Sequence, residues 1–255
     1  MPFSETSSGA TLHYQHLNAE AAGIPIVVLH GLLGTGRKDL GHILDWLAEI
    51  GYEVIAPSLR GYGESTPKPR DFPYRFYHRD AEDVLAFLES LELDRVHLLG
   101  YSDGGEVALI CAGTQPERFE TVATIGSVGY MGADVRPVVM NYRPGSEWIT
   151  SEEIEMHNIP DADQFSAQWV RSTIMLIDSG GDVAVSLASK ITAPLMMMLG
   201  THDKLNPRKY ADHFLASGVA NGQVLMFDCG HAVHVQQREQ FQKMFLAHIR
   251  GKSAF

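Results

Sequence analysis

Residues Arg95 to Cys111 read R-V-H-L-L-G-Y-S-D-G-G-E-V-A-L-I-C. An apolar run (Val96, Leu98, Leu99) stops at Gly100, and a helical pattern (Val107, Ala108, Leu109, Cys111) starts almost at once. Between them, Gly100-Tyr101-Ser102-Asp103-Gly104 fits Gly-x-Ser-x-Gly in a strand-turn-helix setting. On its own that pattern is also an ordinary glycine-rich turn. In this setting it predicts a serine held on a turn so sharp that its backbone is strained. The glycines two before and two after remove Cβ atoms that would strike the neighbouring strand and helix. The following helix then aims its free N–H groups at the serine.

Working outward, apolar runs and helical patterns alternate. Two short strands are expected at 2–6 and 11–17, with turn chemistry at Ser7-Ser8-Gly9. The run Ile24 to Leu29 reads as a strand buried on both faces and ends in His30-Gly31-Leu32-Leu33-Gly34. A helix follows, with Leu40, Ile43, Leu44, Leu47 and Ile50 on one face. Tyr52 to Ala56 is the next strand, and 57–73 is a loop rich in Gly, Pro and Arg. A helix over about 77–91 turns Val84, Leu85, Leu88 and Leu91 inward, and a strand follows Ser102's helix at 121–127. The alternation breaks at Gly129, and 130–190 carries helical patches without a clear strand. It resumes with a strand at 193–199, a helix at about 207–217, a strand at 223–227 and a helix at about 237–250. These elements predict an α/β fold: a mostly parallel sheet of about eight strands covered by helices on both faces. The expected division is a core of 1–129 and 191–255 with a helical cap, or lid, at 130–190 over the C-terminal strand ends.

A serine hydroxyl needs a base to take its proton and an acid to orient that base. The strand at 193–199 runs into Gly200-Thr201-His202-Asp203, and the strand at 223–227 runs into Asp228-Cys229-Gly230-His231. Asp203 and His231 therefore fall after later strands, in the order serine, acid, histidine. The chain has 12 histidines, so position carries more weight than residue type. Asp228 competes for the acid, and His234, three residues beyond His231, competes for the base. His202 reads as a surface turn residue. An oxyanion hole needs two backbone N–H donors. The residue after the serine, Asp103, is one candidate, and Leu32, in the loop after the first buried strand, is the other. That loop also reads as a plain strand-to-helix connector. Candidate substrate-binding residues are Asp103, Leu33, Met131, Tyr142, Trp148 and Trp169; the residues drawn from 130–190 serve equally well as the cap's own core.

The 255 residues suit one α/β domain with an insertion. A formal charge of −11 argues against nucleic acid and anionic membrane surfaces as partners. Two cysteines suggest no disulfide framework, and Cys111 reads as helix packing. The N-terminal residues show no signal peptide, and no apolar run reaches the ~20 residues a bilayer requires. A cytoplasmic monomer or homodimer acting on a small-molecule ester is the expectation. No metal or organic cofactor is implied.

The motifs together resemble the α/β-hydrolase superfamily. The likeness is carried by His30-Gly31, Arg60-Gly61-Tyr62-Gly63-x-Ser65, Gly100 to Gly105, Gly200-Thr-His-Asp203 and Gly230-His231. A narrower likeness is to the valacyclovir hydrolase (biphenyl hydrolase-like) group of serine esterases. It rests on Arg60 to Gly63, Arg70-Asp71-Phe72-Pro73, Arg79-Asp80-Ala81, Ser102 to Gly105 and Asp203-Lys204-Leu205-x-Pro207-Arg208. That group cleaves α-amino acid esters and pairs the aspartate after its nucleophile with the substrate ammonium. By resemblance Asp103 takes that role; as a residue it is equally a helix-start carboxylate favoured by the macrodipole. The cap shows no match, and Gly230-His231-Ala232-Val233-His234 departs from the group's pattern. The function expected is a serine carboxylesterase. Alternatives on the same residues are an aminopeptidase, a C–C bond hydrolase, and a slow-turnover ligand receptor.

Overall fold

The computed structural model describes residues 2–251. Eight strands form one sheet in the order β1-β2-β4-β3-β5-β6-β7-β8. The N-terminal strands β1 (Phe3–Glu5) and β2 (Thr11–Leu17) pair antiparallel, and β2 pairs antiparallel with β4 (Val54–Pro57). From there β3 (Ile26–Leu29), β5 (Val96–Tyr101), β6 (Phe119–Ile125), β7 (Leu195–Gly200) and β8 (Gly222–Phe227) run parallel. All four residues of β3 and all six of β7 are buried, as continuous apolar runs predict for strands covered on both faces.

Two apolar layers sandwich the sheet. One face packs against helices α2 (Phe76–Ser90) and α3 (Asp103–Thr114) through Phe87, Leu88, Val107 and Leu109. The other packs against α1 (Gly41–Glu49) and a C-terminal helix, Arg238–Ile249, through Ile43, Leu44, Leu47, Phe241 and Phe245. Each successive parallel strand therefore delivers its C-terminal loop to the same edge, where ligands bind in such sheets.

Most expected elements stand within two residues. Four details differ. The strand expected from Ile24 starts at Ile26, after Pro25, which has no N–H for the ladder. Ile50 lies beyond the end of α1 and is exposed rather than on its inner face. Leu91, just past α2, is only half-buried. The expected last helix stands as α9 (Arg238–Ile249), but a short unexpected helix, α8 (Val233–Gln236), precedes it across Gln237. Between β6 and β7 the described residues form helices only, among them α4 (Arg136–Met140), α5 (Ser151–His157) and α6 (Ala162–Asp178), with one isolated bridge, Tyr130 to Asp182. Helix α7 spans Arg208–Ala216. No described helix is long and apolar enough to cross a membrane.

Two arginines of the motifs that carry the resemblance, Arg60 and Arg70, are structural. Arg60 makes a two-pronged bond to Asp83 at 2.6 and 2.6 Å, and Arg70 grips Asp80 at 2.7 and 2.6 Å. The Arg70 guanidinium also lies over the rings of Tyr62, Phe72 and Phe76. Both buried carboxylates stand on α2, so the pairs pin the 57–73 loop to that helix. Planar, charge-assisted forks of this kind fix geometry as well as supplying energy.

Candidate active site

Ser102 sits at the joint between β5 and α3 with φ 53° and ψ −123°, a conformation that L-residues avoid. Its neighbours explain how this is sustained. A Cβ on Gly100 would come within 2.3 Å of the Gly104 carbonyl, and one on Gly104 within 2.3 Å of the His30 carbonyl at the end of β3. Only glycine at both positions lets helix, strand and turn approach this closely.

His231, in the loop after β8, places Nε2 2.9 Å from Ser102 Oγ. Its Nδ1 lies 2.6 Å from Asp203 Oδ2, in the loop after β7. Burial alone would raise the Asp203 carboxyl. The bond and charge of His231, with donors from Asn206 and Leu205, hold it below the usual carboxylate range. The carboxylate therefore stays ionised and fixes the histidine with its proton on Nδ1.

Asn206 escaped the sequence reading. It is buried, and its amide lies 3.2 Å from Asp203 Oδ2 and 3.3 Å from His231 Nδ1. The Nδ1 proton is committed to Asp203, so the amide donates to the carboxylate and only lies alongside the ring. The only sequence signal was a polar residue three after the aspartate, just before a proline that opens α7.

The competitors are settled by place. Asp228 is exposed and pairs with His202, also exposed, at 2.9 Å. His234 is buried in α8, stacks on His42 at 5.5 Å, and is pushed down to about 3 by burial and by the nearby His42 and His231. It is a neutral wall residue, not a partner of Ser102.

Both candidate oxyanion residues, Leu32 and Asp103, border Ser102. Among the described residues, neither the Leu32 nor the Asp103 N–H has a hydrogen-bond acceptor. Gly31 brings the loop so close that a Cβ there would lie 2.9 Å from Ser102 Cβ. His157 of α5 clamps this loop from above: Nε2–H donates to the Leu33 carbonyl at 2.9 Å, and Nδ1 accepts from Gly63 N–H at 2.9 Å.

A cavity of about 350 Å³ opens over Ser102, lined by Leu32, Asp39, Tyr101, Asp103, Tyr142, Trp148, Trp169, Leu205, His231, Ala232, His234 and Val235. Three of the expected aromatic and methionine positions, Tyr142, Trp148 and Trp169, form one cluster. Tyr142 packs on Trp169 at 4.9 Å and edge-on to Trp148 at 5.5 Å. The other two expected lining residues are corrected. Leu33 has φ 60°, which turns its side chain into the core while its carbonyl faces His157. Met131 is buried and absent from that lining; it borders a small adjoining cleft of about 10 Å³ that also touches Ser102, Asp103 and Trp169.

The Asp103 carboxylate accepts from the Tyr77 hydroxyl at 2.8 Å and from Trp169 Nε1 at 3.2 Å. Burial pushes its carboxyl up to about 6, against the pull of those two donors and of the buried Arg70 charge. Tyr77, itself raised well above the usual phenol range by burial, remains a donor.

The α/β-hydrolase-fold family profile matches residues 24–146. The human serine hydrolase BPHL is 31% identical over 244 residues, covering 93% of this chain and 82% of that protein. This chain belongs to the α/β-hydrolase family. It is a hydrolase, close to the BPHL serine hydrolases; the mouse BPHL is 28% identical over 241 residues, covering 93% of this chain and 82% of that one. Among solved structures, the hydrolase is similar to the 2-hydroxy-6-oxo-6-phenylhexa-2,4-dienoate hydrolase of Rhodococcus sp. strain RHA1. Their TM-score is 0.77 at 21% identity over 98% of both chains, a likeness of fold.

Proposed function

We propose that this hydrolase is a serine carboxylesterase for small esters, including those of α-amino acids. The observation that carries the reading is the continuous chain Asp203–His231–Ser102, at 2.6 and 2.9 Å, opening into a cavity walled by the half-buried carboxylate of Asp103. In this reading His231 Nε2 takes the Ser102 Oγ proton as Oγ attacks the ester carbonyl carbon. The oxygen becomes an alkoxide facing the Leu32 and Asp103 N–H groups; one such donor is worth ~2.7–4 kcal/mol. As the tetrahedral species collapses, the C–O bond to the alcohol breaks and His231 returns the proton to the departing oxygen. Water repeats the sequence on the acyl-enzyme, releasing acid and free Ser102.

Residues 130–190 act as a cap in this reading, supported by Tyr142, Trp148 and Trp169 in the cavity wall. Asp103 then does two separate jobs. Its backbone N–H faces the oxyanion, and its carboxylate meets an ammonium one or two bonds from the scissile carbonyl.

Steady-state hydrolysis of two matched nitrophenyl esters, one simple acyl and one α-amino acyl, tests this. Ser102→Ala is expected to lower kcat about 10⁴-fold or more on both. Asp103→Asn keeps the backbone donor and removes the charge. It is expected to lower kcat/KM about 30-fold on the amino ester only, the effect of leaving one partner of a buried charge pair alone. An unchanged ratio reduces the reading to a general esterase. Wild-type turnover by the Ser102→Ala variant refutes it.

A further inference from the structure

The cavity has two carboxylates, on opposite sides of the Ser102–His231 pair, and no Lys or Arg in its lining. Asp103 is on the Trp169 side: that indole donates to it and packs on Tyr142, which packs on Trp148. Asp39 is on the other side, as contacts around it show. His42, three residues on, stacks on His234 at 5.5 Å. Tyr101 packs on both His234 (4.5 Å) and His231 (5.2 Å), and its phenol feels the Asp39 charge. Asp39 is exposed at the cavity mouth. Among the described residues no donor lies within hydrogen-bond or ion-pair reach of its carboxylate. The adjacent cation, Lys38, is committed to Glu153 of α5 at 2.9 Å.

Chemistry decides which part of a substrate meets each wall. His231 Nε2 must reach the departing oxygen to protonate it, so the leaving group lies on the His231 side. That is the wall of Ala232, His234, Val235, Tyr101 and Asp39. We propose, resting on the ester-hydrolase reading, that Asp39 is a specificity residue that selects leaving groups bearing a positive charge, such as amino or quaternary ammonium alcohols. The site is thereby divided: the carboxylate of Asp103 faces the acyl part and that of Asp39 the alcohol part. An anionic leaving group is repelled by both and finds no cation in the cavity wall.

The probes are butyrylcholine and 3,3-dimethylbutyl butyrate, which differ only in nitrogen against carbon at the centre of the alcohol's head. The readout is the ratio of their kcat/KM values by acid release. Wild type is expected to favour the choline ester about fivefold at low salt, the size of an exposed charge pair. That preference shrinks toward unity in 0.5 M salt as the pair is screened. Asp39→Asn is expected to bring the ratio to about one, and Asn tolerates the positive φ of 70° at this position. Glu20→Gln, on an exposed loop before β3 at the opposite end of the strands, is expected to leave the ratio at the wild-type value. A ratio that ignores Asp39→Asn, while Ser102→Ala still abolishes turnover of both esters, overturns the role of Asp39 alone. Turnover of neither ester by wild type overturns both readings.

Discussion

One cavity is built in two ways. Its floor comes from the sheet: Ser102, Asp203 and His231 stand on loops after β5, β7 and β8, the first two of them strands buried between the helical layers and the third the edge strand paired to β7. Its roof comes from the helices between β6 and β7, where Tyr142, Trp148 and Trp169 hold each other by ring contacts and by two bonds to one carbonyl. Trp148 Nε1 and Ser166 Oγ both donate to the Tyr142 carbonyl at 2.8 Å. The floor has a single geometry set by main-chain hydrogen bonding, whereas the roof depends on side chains that fill space. Asp103 is where the two meet, with its backbone in the floor and its carboxylate bonded to the roof through Trp169.

If the floor supplies chemistry and the roof selects, perturbing each must give different kinetics. The largest expected effect is on the floor. Asp203→Asn, isosteric but uncharged, should lower kcat about 10³–10⁴-fold with KM nearly unchanged, because the histidine loses the partner that fixes its tautomer. A loss below tenfold would break the contrast.

The second effect is in pH. In the proposed reading an ammonium is recognised only by ionised Asp103, whose carboxyl burial pushes up to about 6. The ratio of amino-ester to neutral-ester kcat/KM should therefore fall about tenfold between pH 7 and pH 5, as the carboxylate gains its proton. It should fall again above about pH 8, where an α-amino group becomes neutral. Protonation of the base affects both esters and cancels in the ratio. A ratio that is flat from pH 5 to 7 would detach Asp103 from recognition.

The smallest effect sharpens the junction. Trp169→Phe keeps the ring and removes the 3.2 Å donor. The pH midpoint of that ratio should move up by less than about one unit, with kcat on the neutral ester within about threefold of wild type. A large fall in kcat would place Trp169 in the floor's machinery instead.

The sequence made the floor legible because its signals are local. Gly100, Gly104 and Gly31 are glycines because no Cβ fits, and strand-then-loop patterns place Asp203 and His231 at one edge without any knowledge of packing. Signals that depend on side-chain direction were lost. Leu33 and Leu32 are adjacent leucines, and only the left-handed backbone at Leu33 turns it into the core and leaves Leu32 at the cavity. Met131 and Trp169 were equal candidates; both border the small cleft beside Ser102, but Trp169 also lines the larger cavity and bonds Asp103. Asn206 carried no motif of its own, since an amide between an aspartate and a proline reads as turn chemistry.

By itself, then, the sequence determined the strand order of the chemistry: a serine on a strained turn, an acid and a histidine after later strands, and the two-faced sheet that lines them up. Periodicity and turn residues encode those features within a few positions of chain. The tertiary structure alone decided which histidine reaches Ser102, that Asn206 steadies Asp203, and that Asp103 and Asp39 face the cavity from opposite sides. Those outcomes depend on contacts between residues tens of positions apart, whose directions are set only when the helices pack.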